Sequence, residues 1–165
     1  MNRTLWFSGF FLFLLTPALI QAANRPIIGV DVNKDIRVAY EVKDDVWEAG
    51  VGKALFYVRG LLEAYDSLGV PEEQLHVSVV LHGGAAYWVL KDKAYSVHKN
   101  QLEGNPNKKL IGELLDHGVS VEVCNATLKG HGWKPDDVLP GVTIVHDAYT
   151  RLIDLQQQGY GYIRF

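Results

Sequence analysis

Residues 77–84 read Val-Ser-Val-Val-Leu-His-Gly-Gly, an almost continuously apolar run that stops at a histidine and two glycines. Such a run is typical of a strand buried on both faces, as strands of parallel sheets are. The glycines predict a tight turn, because glycine adopts backbone conformations that other residues avoid. The stretch therefore predicts a core strand from His76 to Leu81, followed at once by a turn.

Short β-prone runs and helical periods alternate on both sides of this strand. Strands are predicted at 36–42, 119–124, 142–145 and 160–165, and helices at 46–68, 85–90, 107–117, 125–129 and 147–158. Alternation of this kind predicts right-handed crossovers and an α/β fold, with a mostly parallel five-stranded sheet and helices on both faces. The run 26–32 is left open as an extra strand or an extended arm. The polar stretch 91–104 is expected to be an irregular flap over a site.

The first 23 residues are typical of a secretory signal peptide. Arg3 precedes an apolar run from Leu5 to Leu15, and small residues follow from Ala18 to Ala23. This order of a basic start, an apolar middle and a small-residue cleavage site marks a leader. We therefore predict a signal peptide at 1–23, a single α/β domain at 24–165, and export to the periplasm. No stable membrane span is expected after cleavage, because the apolar run is shorter than a spanning helix.

The charge and the cysteine count restrict the function further. The formal net charge is −3, which argues against nucleic acid as a partner, since nucleic-acid surfaces need clustered lysine and arginine. Cys124 is the single cysteine of the chain, so it forms no disulfide within the chain. In an exported protein such a cysteine is either a free thiol, a link between chains, or a small buried apolar residue.

Candidate site residues follow from the position of the strand ends. Ligands of open α/β sheets bind beyond the carboxyl ends of the strands. That rule selects Cys124 as the candidate nucleophile, with a helix expected to begin just after it. The assisting or pocket residues that it selects are His82, Gly83, Gly84, Asn125 and His146.

The other familiar site patterns are absent from the sequence. The six histidines have no HxxxH or HExxH spacing, so no metal site is predicted. A complete GxGxxG or Walker sequence and a GxSxG elbow are also absent, and no cofactor is predicted. The His82–Gly84 turn has a second interpretation, a strand-to-helix turn that needs glycine only for its backbone geometry.

Four segments together resemble the DsrE/DsrF-like family, and in particular its exported branch. They are VSVVLHGG (77–84), NPNKKLIGELLDHGVSVEVC (105–124), LPGV (139–142) and LQQQGYGYIRF (155–165). The resemblance covers nearly the whole chain from about residue 36. It implies a three-layer α/β/α sandwich (DsrEFH-like) and frequent homo-oligomers or hetero-oligomers with related proteins.

The resemblance also implies a chemistry. The well-understood members of the family relay sulfur: a cysteine at a strand end carries it as a persulfide and hands it to a partner. The segment from Cys124 to Gly130 resembles the one that holds that cysteine. We therefore expect a sulfur carrier or sulfurtransferase that uses Cys124 and a sulfur donor or acceptor protein. Two alternatives stay open: a small-ligand-binding or assembly module in which Cys124 is structural, and a redox sensor that links two chains.

Overall fold

A computed structural model describes residues 25–165, and one compact unit spans Asp31 to Phe165. The predicted leader, residues 1–23, lies outside the described residues. In chain order the elements are β1 (Ile36–Val42), β2 (Trp47–Glu48), β3 (Val51–Gly52), α1 (Lys53–Ser67), β4 (Leu75–Leu81), α2 (Asp92–Lys99), α3 (Lys108–Asp116), β5 (Ser120–Cys124), α4 (Asn125–His131), β6 (Thr143–Val145), α5 (Ala148–Gln157) and β7 (Gly161–Arg164). Three 3₁₀ turns lie at Glu72–Gln74, Gly83–Val89 and Pro135–Asp137.

The main sheet has five strands in the order β6-β5-β4-β1-β7, and every pairing in it is parallel. The predicted α/β class and five-stranded sheet are therefore confirmed. β4 lies at the centre, which agrees with its nearly unbroken apolar sequence. The last five residues of β1 and of β4 are buried, so both faces of these strands are covered.

The two faces of the sheet are covered unequally. The larger core contains residues of α1, α2, α3 and α4 together with the Gly83–Val89 turn. α5 covers the other face, where Ala148, Leu152 and Leu155 pack against Ala39 and Val80. A protein with helices on both sides of a parallel sheet is a three-layer α/β/α sandwich.

One predicted helix is wrong in its bounds, and one stretch predicted to be irregular is helical. The helix expected from residue 46 begins at Lys53, because residues 47–52 form the β2–β3 hairpin. Its turn residues, Ala49 and Gly50, both have positive φ (49° and 82°), which suits a tight two-residue hairpin. The stretch 91–104, expected to be an irregular flap, contains the regular helix α2. Its sequence shows little apolar helical period, because Tyr95 is the one buried side chain of α2.

The run 26–32, left open as a strand or an arm, contains no strand. The predicted helix at 85–90 is helical in kind, but it is a 3₁₀ turn that starts at Gly83. Among the described residues, no helix is long and apolar enough to cross a membrane.

Candidate functional site

Cys124 is the last residue of β5 and immediately precedes α4. Its side chain is 5% exposed and lies on the α5 face of the sheet, in the cluster that includes Ala39, Val80 and Ala148. The sequence-based placement of the cysteine at a strand end, with a helix after it, agrees with these elements. The thiol is therefore at the carboxyl edge of the sheet but under the cover of α5.

His82 directly follows β4 and is also 5% exposed. Its backbone N–H donates to the Val42 carbonyl at 2.9 Å, which continues the β1–β4 pairing by one residue. Gly83 has φ +52°, and its N–H donates to the Thr127 hydroxyl of α4 at 3.3 Å. The turn after β4 therefore contacts the helix that follows Cys124.

The strand register brings His82 next to Cys124. Leu81 pairs with Val123 across β4 and β5, so the next residues along, His82 and Cys124, are neighbours on the same face. Adjacent strands of a sheet lie about 4.8 Å apart. His82 and Cys124, which were selected independently from the sequence, thus lie on the same face at the carboxyl edge of the sheet.

Glu41 completes a buried polar cluster that the sequence did not predict. Its carboxylate is 7% exposed; Oε1 lies 2.9 Å from His82 Nε2, and Oε2 accepts a hydrogen bond from the Tyr162 hydroxyl. Burial disfavours the charge of Glu41, but the hydrogen bonds from Tyr162 and His82 outweigh it and lower its pKa. We call Glu41, His82 and Tyr162 the edge triad.

The alternation of apolar and polar residues in β1 gives no sign that Glu41 is buried. In β1 the side chains of Val38, Tyr40 and Val42 face the larger core, so Glu41 falls on the second face, which looks solvent-exposed in sequence. α5 covers that face and buries it. Tyr162, on the edge strand β7, reaches the same face because its register partner is Ala39.

A second buried carboxylate lies further down the same face. Glu122 is 1% exposed and accepts two hydrogen bonds from Arg151 of α5, from Nε at 2.7 Å and from Nη2 at 2.9 Å. Ser78 and Ser120 donate to its Oε1 at 2.6 and 2.9 Å. Burial would raise the pKa of Glu122, but the Arg151 hydrogen bonds and those of the serines hold it below its usual value. This network attaches α5 to the sheet.

The remaining predicted site residues lie outside the edge triad. Asn125 is the first residue of α4 and is half-buried. His146 follows β6 with a side chain that is 93% exposed, and its Nδ1 lies 3.1 Å from Asp147 Oδ2. Gly84 packs close to the Lys43 carbonyl, where a Cβ would lie 3.3 Å from that oxygen. His146 therefore lies on the protein surface, and Gly84 allows the backbone to approach the Lys43 carbonyl closely.

A separate polar cluster lies on the opposite face at the same edge. One carboxylate oxygen of Asp45, Oδ1, accepts hydrogen bonds from Trp47 Nε1 at 2.7 Å, the Tyr87 hydroxyl at 2.7 Å and Trp88 Nε1 at 2.9 Å. Burial opposes the charge of Asp45, but these three donors and nearby Lys99 lower its pKa. The cluster anchors the loop after β1 to the core.

The histidines do not gather into a metal site. Within residues 25–165 there is no group of three or more histidine, cysteine, aspartate or glutamate side chains that fits a metal ion. The His131 ring stacks on Trp133 at 4.3 Å, and the His98 ring meets both edge-on. Burial, and then the neighbouring His131, lower the pKa of His98.

A cleft of about 310 Å³ opens at the other end of the molecule, between α1 and α3. Leu62, Val70, Leu75 and Leu114 are among its lining residues, and charged residues including Arg59 and Glu72 complete it. Because Leu75 begins β4, this cleft is at the amino-terminal end of the strand. Ligands of α/β sheets bind at the carboxyl ends, so the edge with Cys124 is the stronger candidate.

Comparison with known proteins fits this architecture. The family model for "DsrE/DsrF-like family" matches residues 51–165. The chain belongs to the DsrE/DsrF-like family. The match includes β4 with its turn, Cys124 and Tyr162, while Glu41 lies before it. Sulfur relay is the role that membership suggests in general terms.

Two solved structures share the fold. One is a protein of unknown function, MTH1491 from Methanobacterium thermoautotrophicum, with a TM-score of 0.61 and 25% identity. The other is the ychN protein from E. coli, with a TM-score of 0.55 and 16% identity. Each alignment covers 79% of this chain and 100% of the other. No curated protein matches the chain.

Proposed function

We propose that this protein is a sulfur carrier that holds sulfur on Cys124 as a persulfide and transfers it to a partner protein. Family membership supports the general role. The observation that carries the proposal is that Cys124 ends β5 beside His82, on the face where a carboxylate and an imidazole are buried together. A thiol next to a proton-accepting group at the ligand-binding edge is the arrangement that nucleophilic sulfur chemistry needs.

The proposed reaction balances without an oxidant. A donor persulfide, R–S–SH, presents its outer sulfur to the Cys124 thiolate. The Cys124 Sγ forms a bond to that sulfur while the S–S bond of the donor breaks. The donor leaves as R–S⁻ and takes up the proton that Cys124 lost. The products are the Cys124 persulfide and the thiol R–SH, and the same exchange in reverse loads an acceptor thiol.

The setting of the reaction is also a proposal. We propose that residues 1–23 direct export to the periplasm and are then removed, as their basic, apolar and small-residue order favours. We further propose that the chain works as a homo-oligomer or with related proteins. Exposed apolar side chains on the edge strand β7 and on α1, such as Ile163 and Tyr57, support an assembly surface there.

One observation favours a second candidate function. Cys124 is enclosed by Ala39, Val80, Ala148, Leu152 and Leu155, which is how a cysteine packs when it acts as a small apolar residue. In that case the chain is a small-ligand-binding or assembly module. Replacement of Cys124 by serine would then leave ligand binding, oligomeric state and cellular phenotype unchanged.

Mass spectrometry of the intact mature protein tests the sulfur-carrier proposal. After incubation with a small-molecule persulfide or with thiosulfate, we expect the wild type to gain the mass of one sulfur atom, located on Cys124 by peptide mapping. The gain should disappear on treatment with a reductant. Folded Cys124→Ser is the matched control and should gain no sulfur. Wild-type protein that stays at its original mass with both donors would exclude the proposal.

A further inference from the structure

We propose that Glu41 and Tyr162 are positioning residues that hold His82 as the proton acceptor for the Cys124 thiol. The inference rests on the proposed function, because it assigns roles around the same thiol. His82 would be the catalytic base, and Glu41 and Tyr162 would act through it. Glu41 and Tyr162 have no counterpart among the residues that sequence patterns selected.

The first step of the argument concerns the tautomer of His82. An ionised carboxylate is only an acceptor of hydrogen bonds. Both Glu41 oxygens are engaged, Oε1 by His82 Nε2 at 2.9 Å and Oε2 by the Tyr162 hydroxyl. His82 Nε2 must therefore carry a proton, and Nδ1 of the neutral ring keeps the lone pair that can accept another.

The second step concerns the orientation of the ring. The Tyr149 ring of α5 meets the His82 ring edge-on, with centroids 5.4 Å apart and planes at 70°. Glu41 fixes one nitrogen from the β1 side, while Cys124 is the register neighbour on the β5 side. His82 thus follows the strand that lies between the strand of the carboxylate and the strand of the thiol, which is the order that an orienting group, a base and a nucleophile need.

The third step concerns what the buried pair contributes. A buried pair of polar groups is often no better for stability than apolar residues of the same volume. The strands here are otherwise rich in valine and leucine, so an apolar pair would fit the pattern of the core. A carboxylate and an imidazole buried at the ligand-binding edge, beside the one cysteine, are therefore better explained by chemistry than by stability.

The proton path follows from this geometry. The Cys124 thiol gives its proton to His82 Nδ1, and the thiolate attacks the outer sulfur of the donor persulfide. The imidazolium, stabilised by Glu41, then gives the proton to the departing R–S⁻. The Glu41 carboxylate holds the proton on Nε2 and leaves the lone pair on Nδ1, so loss of the carboxylate frees the ring to take the other tautomer. The titratable and charged groups that face or adjoin His82 are Glu41 of β1, Lys43 after β1, Cys124 of β5, Tyr149 of α5, and Tyr162 and Arg164 of β7.

Alkylation of Cys124 with iodoacetamide between about pH 5.5 and 9 tests the assignment, because general-base assistance is typically large. We expect Glu41→Gln and Tyr162→Phe to label at least about tenfold more slowly than wild type at pH 7. Their rates should keep rising with pH where the wild-type rate levels off. His82→Ala should be slower still, and added imidazole should restore its rate.

Ser120→Ala is the matched control, because it removes a hydroxyl bonded to a buried carboxylate on the same face without touching the edge triad. It should label as wild type does. Wild-type rates and pH profiles in folded Glu41→Gln and Tyr162→Phe would overturn the inference. If those variants do not fold, ¹⁵N NMR of wild-type His82 decides: a proton on Nε2 supports the assignment, and one on Nδ1 overturns it.

The two proposals fail separately. Alkylation needs no sulfur donor, so a protein that labels as expected but gains no sulfur overturns the carrier function alone. A protein that gains sulfur on Cys124 equally fast with and without the Glu41 carboxylate, and that labels equally fast, overturns the positioning roles alone.

Discussion

Glu41 Oε1 and His82 Nε2 lie 2.9 Å apart, on side chains that are 7% and 5% exposed, and both belong to the face where β5 ends at Cys124. The contact joins neighbouring strands, β1 and the turn after β4, at the carboxyl edge of the sheet. Removing a carboxylate and an imidazole from water costs free energy, which the hydrogen bonds between the two groups must offset. Its energetic balance can be measured.

We predict that the Glu41–His82 pair adds little net stability. Glu41→Leu should lower the free energy of unfolding by about 1–3 kcal/mol, because it leaves buried His82 without its acceptor. The double variant Glu41→Leu/His82→Leu should lose less than the sum of the two single variants. Urea denaturation of the four proteins measures the coupling, and strictly additive losses would contradict the prediction.

The Glu122–Arg151 pair should contribute more than a surface ion pair. Arg151→Ala leaves a carboxylate that is 1% exposed without its charged partner and should cost about 3 kcal/mol of unfolding free energy. The control is Arg59→Ala, which removes an exposed pair with Glu63 on α1 and should cost less than about 0.5 kcal/mol. Similar losses in the two variants, measured by urea denaturation, would show that Glu122 is not held by Arg151.

Acid should weaken the fold through Glu122. Its pKa in the folded protein is lowered, mainly by Arg151 against the opposing effect of burial, so the carboxylate stabilises the fold when ionised. That stabilisation is present above the unfolded pKa, about 4.3, and is lost as the pH falls through the lower folded pKa. Glu122→Gln should therefore show a flatter fall in unfolding free energy between about pH 5 and 3. An unchanged slope would count against the role of Glu122.

Gly52 should not tolerate a side chain. A Cβ at this position would lie 2.3 Å from Trp88 Cε3, far inside van der Waals contact, and Trp88 is itself buried. Gly52→Ala should therefore cost about 1–3 kcal/mol through overpacking. Gly60→Ala is the control, since open space surrounds that position within α1 and alanine favours helix by about 1 kcal/mol. Thermal unfolding should move in opposite directions for the two variants.

Asp45 should be more important for stability than the aspartate beside it. Asp45→Ala removes the acceptor of three donors, including the buried Tyr87 hydroxyl and Trp88 indole N–H, and should cost about 1–3 kcal/mol. Asp44→Ala, an exposed neighbour, should stay within about 0.5 kcal/mol of wild type. Near-ultraviolet circular dichroism should change for Asp45→Ala alone. Equal behaviour of the two variants would contradict the role given to Asp45.

Local sequence patterns predicted much of the sheet, because the order of apolar and polar residues along a strand reflects which of its faces are buried. The apolar run 77–81 indicated a strand covered on both faces, and β4 is central. Val119, Val121 and Val123 predicted a strand that ends at Cys124, as β5 does. The β2–β3 hairpin was missed because its strands have two residues each, which is too short for a period to appear.

The sequence by itself determined that Cys124 closes a strand, that His82 and its glycines follow another, and that both belong to an α/β fold. Only the tertiary structure decided that the two are neighbours, because the strand order β6-β5-β4-β1-β7 is set by pairing between distant segments. It also decided that Glu41 is buried. β1 alternates as a half-exposed strand would, and α5, more than 100 positions later, removes that second face from water.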